Sequence, residues 1–229
     1  MIRSIKRTAS GELRLRVISS VVLAAIAIAV TWNGGTIFVL FWGAASAVIF
    51  WEWVRMSSYR PTWLVLGLLY AGVFLLAMTW LRITSYGLFA IFWLFAIIWS
   101  ADIAAYFTGR AFGGPKLWRS VSPNKTWSGA IAGTVVGIIA GLAVIWSVGL
   151  ELNIFHFIIA FIIVIAAQLG DLMESGIKRH FGVKDSSQLI PGHGGAMDRC
   201  DSLVAASSIA LLIGVVRAAN APAEGLLAW

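Results

Sequence analysis

Long apolar runs dominate this sequence and constrain its fold more than any other feature. A helix needs about 20 mostly apolar residues to cross a bilayer. Such runs occupy residues 17–32, 36–54, 63–80, 86–107, 127–149, 154–172 and 203–216. The chain is 60% hydrophobic and only 12% charged, whereas a soluble domain is about 25% charged. We therefore predict an all-α, polytopic transmembrane bundle of about seven spans, and the composition excludes a single water-soluble core.

The lysine and arginine residues predict the orientation of this bundle. If the N-terminus is cytoplasmic, every one of the 17 basic residues except Arg82 and Arg217 falls on the cytoplasmic side, as the positive-inside rule requires. Both long polar segments, 108–126 and 173–200, then face the cytoplasm. The net charge of +7 is explained by these loops, so we predict no nucleic-acid partner. The basic start of the chain is interpreted as the flank of an uncleaved first span, not as a signal peptide.

Carboxylates flank the polar segment between the last two spans. Asp171 ends the sixth run, and Asp198 and Asp201 lie three residues apart, so both face one side if the region is helical. Carboxylates from two helix ends suit Mg²⁺, which takes one or two of them and completes its shell with water and phosphate oxygens. A zinc site is not predicted, because the chain has one cysteine and no closely spaced histidine pair. The alternative is that the carboxylates neutralise the basic residues of the same segment.

Two acidic residues lie within predicted spans, where a charge is costly and normally faces the protein interior or a water-filled cavity. Asp102 has Tyr106 one turn later on the same face. We favour a cavity-lining metal or substrate residue over a structural hydrogen bond between helices. Glu52 lies near the end of the second run, and for it we favour packing or snorkelling to the interface.

The segment SPNKTWSG precedes the fifth span. We expect a turn at Pro123 and Asn124, after which Ser122, Lys125, Thr126 and the first amides of the next helix converge on an anion. A helix N-terminus with a nearby lysine is a ready phosphate site. The alternative is an ordinary helix start capped by a hydroxyl side chain.

Glycines mark two further positions. In the fifth span they recur every fourth residue, at Gly129, Gly133, Gly137 and Gly141, which predicts close packing against another helix. The turn Pro-Gly-His-Gly-Gly around His193 permits close backbone approach to a ligand. A structural role and a site role for this histidine are left equally open.

These features combine into a membrane-embedded pocket that opens to the cytoplasm and carries acidic and basic walls. Such a pocket suits phosphoryl or nucleotidyl transfer between a soluble nucleotide and a lipid, because this chemistry depends on positioning and on neutralising phosphate charge. The residues alone do not select the nucleotide or the lipid.

The polar segment 175–201 resembles the signature of the phosphatidate cytidylyltransferase (CDP-diacylglycerol synthase) family. The matching residues are Ser175, Lys178, Arg179, Lys184, Asp185, Pro191, His193, Gly194, Gly195, Asp198, Arg199 and Asp201. The stretches 100–113 and 122–129 are similar to the family as well, so the resemblance covers the C-terminal half. Departures fall at Asn124, Ser128, Ala196 and Cys200.

The resemblance implies an enzyme that converts CTP and phosphatidate to CDP-diacylglycerol and pyrophosphate with Mg²⁺. It implies Asp171 and Asp198 as metal ligands. The expected catalytic residues are Asp171, Asp198, Asp201, Lys178, Arg179 and His193. The expected substrate-binding residues are Ser122, Lys125, Thr126, Arg199, Lys184, Asp102 and Ser175.

The resemblance also implies a homodimer, in a bacterial-type cytoplasmic membrane with its site facing the cytoplasm. Residues 1–98 would form N-terminal helices and residues 99–229 the catalytic part of one continuous bundle. The runner-up is a CTP-dependent lipid-alcohol kinase, which transfers the γ-phosphoryl group. A small transporter also accommodates seven spans, but it does not require the dense cluster of charges.

Overall fold

The structure is a computed structural model, which describes residues 9–190 and 194–229. Within these ranges the chain is almost entirely helical, with one small antiparallel sheet. The elements in order are α1 (Ala9–Asn33), α2 (Gly35–Met56), α3 (Pro61–Ile83), α4 (Gly87–Phe112), β1 (Lys116–Trp118), β2 (Ser122–Thr126), α5 (Trp127–Ser147), α6 (Ile154–His180), α7 (Met197–Arg217) and α8 (Pro222–Leu227).

The predicted membrane bundle is confirmed. In the described part of the chain, six helices, α2 to α7, are long and apolar enough to cross a membrane, and α1 adds a shorter apolar stretch, Val17–Asn33. Gly34 alone separates α1 from α2 and has a left-handed φ of 69°. The cytoplasmic N-terminus stays a prediction, and residues 1–8 with their basic side chains lie outside the described residues.

The ends of two spans differ from the prediction in a way that matters for the site. Helix α6 does not end near residue 172 but continues to His180, and α7 begins at Met197 instead of residue 203. The prediction ended each span where charged residues appear. In the structure these residues remain helical, so the helix geometry fixes the directions in which their polar side chains point.

The interior of the bundle is a packed aromatic and aliphatic core. Trp42 of α2 contacts Phe74 of α3 edge-to-face, with ring centroids 5.4 Å apart and planes at 84°. Phe74 and Trp93 are almost completely buried. Large apolar side chains on the outer helix faces, such as Leu40 and Leu68, are mostly exposed, as expected for surfaces that contact lipid.

Helix α5 packs directly on α4 through its glycine face, as predicted. All four glycines of this face are buried. A Cβ atom at Gly129 would lie 2.7 Å from the carbonyl oxygen of Ala105, and one at Gly133 would lie 2.8 Å from that of Ala101. The absent side chains therefore let the two backbones touch, which brings Asp102 on α4 close to the start of α5.

The segment before α5 forms a hairpin, and the predicted turn at Pro123 and Asn124 is wrong. Both residues lie within strand β2, which pairs with β1 in the register Lys116↔Thr126 and Trp118↔Ser122. The turn is at residues 119–121. Proline is tolerated here because a two-stranded sheet consists of edge strands, which do not need every N–H. The hairpin holds Lys125 at the N-terminus of α5.

We predict that Gly133→Ala destabilises the protein by about 1–3 kcal/mol, the usual cost of overpacking a core, because its Cβ would meet the Ala101 backbone. Thermal unfolding in detergent measures the effect. Gly72→Ala in α3 is the matched control, since nothing lies within 4 Å of a Cβ placed there. Equal unfolding temperatures for the two variants would contradict close α4–α5 packing.

Candidate active site

A cavity of about 740 Å³ opens where α4, the β1–β2 hairpin, α5, α6 and α7 meet. It brings together charged residues that are far apart in the sequence. The predicted site residues that line it are Asp102, Lys125, Thr126, Asp171, Lys178, Asp198, Arg199 and Asp201. Four separate elements, α4, β2, α6 and α7, therefore contribute these residues to one site.

The close approach of α6 to α7 places the acidic residues of both helices in this cavity. A Cβ at Gly170 would lie 2.5 Å from the Cβ of Ala205 and 2.9 Å from the carbonyl oxygen of Asp201. Asp171 follows this contact on α6, and Asp198 lies in the first turn of α7. The contact at Gly170 thus sets how near the two groups of carboxylates can come.

Asp171 forms an ion pair with Lys125 across the cavity. Both side chains are 28% exposed, so the pair is accessible to a ligand. The hydroxyl of Ser175 lies 3.5 Å from Asp171 Oδ1, one turn further along α6. Ser175 was predicted to contact substrate, but it does not line the cavity and its contact in the structure is with Asp171.

Lys178 is buried between two carboxylates. Its Nζ lies 2.6 Å from Glu174 Oε2 and 2.5 Å from Asp198 Oδ1. The side chains of Lys178, Glu174 and Asp198 are only 10%, 0% and 6% exposed. Buried charges of this kind are strongly destabilising when one partner is removed, so the three groups form a unit that joins α6 to α7.

The second oxygen of Asp198 is held by the loop that precedes α7. Oδ2 accepts hydrogen bonds from the backbone N–H of Gly195 at 2.8 Å and of Ser186 at 3.0 Å, and the Ser186 hydroxyl lies 3.0 Å from it. A Cβ at Gly194 would lie 2.6 Å from the same oxygen, and Gly194 has a left-handed φ of 82°. The loop thus requires glycine where it wraps around this carboxylate.

Asp102 is exposed to the cavity. In the described part of the chain, Asp102 makes no hydrogen bond or ion pair, which agrees with the predicted cavity-lining position and not with a structural bond between helices. Asp201 lines the same wall and accepts a hydrogen bond from the N–H of Ser202 at 2.7 Å. Arg199 is exposed beside them and adds positive charge.

Several predicted site residues lie away from the cavity. Arg179 is exposed and donates a hydrogen bond to the carbonyl of Val183 at 2.9 Å, which closes the end of α6. Lys184 is exposed in the following loop, and Ser122 lies in β2 without lining the cavity. His193 lies outside the described residues. The roles of all four stay predictions.

The structure also shows polar residues that the sequence reasoning missed. Gln168 of α6 lines the cavity and donates to the carbonyl of Ala130 and the hydroxyl of Thr134, both at 3.1 Å. Glu174 was identifiable from its position four residues before Lys178. Of the two roles favoured for Glu52, the structure agrees with packing and not with snorkelling, because this side chain is completely buried.

The donor groups of the cavity fit Mg²⁺. Among the described residues, no group of three or more His, Cys, Asp or Glu side chains is arranged to hold a metal ion. Mg²⁺ needs only one or two protein carboxylates when water and phosphate oxygens complete its shell. Asp171 and Asp198 each pair with a lysine ammonium group, so a bound cation would share these carboxylates with the lysines.

Comparisons with known proteins identify relatives of this chain. Residues 60–216 match the model of the cytidylyltransferase family. The chain is 38% identical over 255 residues to the phosphatidate cytidylyltransferase of Brucella suis biovar 1 (strain 1330), covering 90% of this chain and 94% of that protein. It is 41% identical over 151 residues to the protein of the same name from Staphylococcus haemolyticus (strain JCSC1435), covering 66% of this chain and 57% of that protein.

We predict that Lys178→Met lowers the free energy of unfolding by about 3–5 kcal/mol, because it leaves Glu174 and Asp198 buried without their cation. Adding Glu174→Gln should restore part of the loss, since it removes one of the two uncompensated charges. Chemical unfolding of the purified protein in detergent measures both effects. Lys184→Met, at an exposed position, is the control and should change stability by about 0.5 kcal/mol or less.

Proposed function

The chain belongs to the cytidylyltransferase family, and we propose that it converts CTP and phosphatidate to CDP-diacylglycerol and pyrophosphate. The observation that carries this proposal is the single cavity, built within a membrane bundle, that joins Asp171, Asp198 and Lys178 to Lys125 and Arg199. Its relatives named phosphatidate cytidylyltransferase support the same reaction.

The cavity suits this reaction because both substrates are phosphates and one of them is a lipid. A phosphate oxygen of phosphatidate attacks the α-phosphorus of CTP, a new P–O bond forms, and the bond to the leaving pyrophosphate breaks. The substrate supplies the nucleophile, so no covalent enzyme intermediate is needed. The protein then has to bring two anions together and neutralise their charge.

Lys125 and Arg199 are the residues best placed for that neutralisation. Both line the cavity, and both remain partly or fully exposed there. Lys125 lies beside the N-terminus of α5, whose unpaired amides favour negative charge. Thr126 caps this helix by accepting a hydrogen bond from the N–H of Gly129 at 3.2 Å, so its hydroxyl serves the helix start and positions its neighbour Lys125.

We propose Mg²⁺ as the cofactor, with Asp171 and Asp198 as the residues that would hold it. When bound, the ion would neutralise charge on the phosphate oxygens and orient them for in-line displacement. Asp102 and Asp201 line the same cavity and would order the surrounding water. Lys125 and Lys178, which contact the two proposed ligands, would keep their carboxylates oriented.

The proposed orientation places this cavity on the cytoplasmic side, where CTP is available. The distribution of lysine and arginine along the sequence supports it. A bacterial-type cytoplasmic membrane and a homodimer are proposed from the family resemblance. A lipid-alcohol kinase and a transporter are not favoured, because the relatives are named for cytidylyl transfer.

The proposal is tested with purified protein in detergent supplied with CTP, phosphatidate and Mg²⁺. We expect CDP-diacylglycerol and pyrophosphate as products, and loss of turnover when the divalent cation is chelated. Asp171→Asn and Asp198→Asn should each abolish turnover while thermal unfolding shows a folded protein. Wild-type turnover in either variant would contradict the metal assignment, and an inactive wild-type protein would contradict the proposed reaction.

We predict that Lys125→Met raises the KM for CTP by about tenfold or more, the loss expected for one charge-assisted hydrogen bond. Steady-state kinetics at saturating phosphatidate measures the change. Arg60→Met is the matched control, since Arg60 is exposed at the start of α3 and does not line the cavity. An unchanged KM in Lys125→Met would exclude Lys125 from CTP binding.

A further inference from the structure

The carboxylate of Glu52 is buried beneath the loop that leads into α7, although Glu52 itself belongs to α2. Its side chain has no exposed surface, and four hydrogen bonds satisfy it. Oε1 accepts from the Ser187 hydroxyl at 2.6 Å and from the Ala196 N–H at 3.0 Å. Oε2 accepts from the Ser186 hydroxyl at 3.0 Å and from the Met197 N–H at 2.8 Å.

Two of these bonds cap the N-terminus of α7. The first N–H groups of a helix have no partner within the helix and are usually capped by a local side chain. The cap residue of α7 is Ala196, which has no side chain able to do this. Glu52 therefore acts as a cap from a distant helix, and its negative charge also suits the positive end of the helix dipole.

One of the other two bonds, from the Ser186 hydroxyl, also links Glu52 to Asp198. The Ser186 hydroxyl lies 3.0 Å from Glu52 Oε2 and also 3.0 Å from Asp198 Oδ2. The loop is thus held between two carboxylates, one from α2 and one from α7. Gly195 lies between them, and a Cβ there would collide with Ser186 Oγ and Glu52 Oε1. The adjacent glycines of the motif are explained in this way, Gly194 by Asp198 and Gly195 by Glu52.

We propose that Glu52 is a positioning residue for the transfer reaction, which fixes the loop and the start of α7 so that Asp198 faces Lys178 and the cavity. Glu52 does not line the cavity, so it acts through Asp198 and not on substrate. It also precedes the region 60–216 that matches the family model. The N-terminal helices would therefore complete the site instead of only anchoring it.

This inference rests on the proposed function, and kinetics and hydrogen exchange together test it. Glu52→Gln keeps the size of the side chain but loses its charge and one acceptor oxygen. We expect kcat to fall about 10- to 100-fold, the usual effect of losing a group that orients a ligand residue, while the KM for CTP changes much less. Amide hydrogen exchange measured by mass spectrometry, without substrate, should accelerate in peptides spanning 186–197 and remain unchanged in α4 and α5.

Three further variants make the test specific. Glu52→Asp retains the charge with a shorter side chain, so its kcat should fall between those of wild type and Glu52→Gln. Ser187→Ala removes one of the four bonds and should change kcat and exchange in the same direction but less. Glu151→Gln, at an exposed loop position, is the charge-matched control and should leave both unchanged.

The possible outcomes separate this inference from the proposed function. An inactive wild-type protein would count against the proposed function. An active wild type with unchanged kcat and exchange in Glu52→Gln would overturn the positioning role alone. Accelerated exchange throughout the bundle with a lowered unfolding temperature would overturn it too, because Glu52 would then support the whole fold and not this loop.

Discussion

The buried ammonium group of Lys178, placed between Glu174 and Asp198, is the interaction on which the site depends. It lies within 2.6 Å of one carboxylate and 2.5 Å of the other, and water is almost excluded from all three side chains. Separating these charges in a medium of low dielectric is costly. The arrangement therefore ties the end of α6 to the start of α7 and determines where Asp198 lies.

The remaining walls of the cavity are arranged around that connection. The glycine contacts of α5 with α4 bring Asp102 opposite α6, and the β-hairpin places Lys125 against Asp171. Positive and negative groups both line the cavity, which suits the phosphates of the two proposed substrates and the proposed metal ion. Its position at the ends of membrane-spanning helices explains how a lipid phosphate and a water-soluble nucleotide could meet there.

Much of the fold could be predicted from the sequence because the spans are long and apolar. The glycine face of α5 followed from its spacing, and the charged residues of the cavity followed from their position between spans. The extension of α6 to His180 could not be predicted, because the last turns of this helix contain charged residues and no longer follow the apolar pattern of the span. The β-hairpin escaped prediction because its strands are short and one contains proline.

The contacts of individual side chains were the least predictable part of the site. Arg179, Lys184 and Ser122 belong to motifs that match the family but lie away from the cavity, since residues close in sequence face different directions on a helix or strand. Glu52 is the reverse case, because it is distant from the motif in sequence but contacts it in the structure. Its partners at Ser186, Ser187, Ala196 and Met197 are more than a hundred positions away, and only the packing of α2 against the start of α7 brings them together.

The fate of the individual CTP phosphates tests the central claim, nucleotidyl transfer to a lipid phosphate, most directly. Purified protein would be given phosphatidate, Mg²⁺ and CTP carrying radioactive phosphorus at either the α or the γ position. The account predicts that the α label enters the lipid product and the γ label leaves as pyrophosphate. Transfer of the γ label to the lipid would contradict it. So would a lipid product that carries no label with either form of labelled CTP.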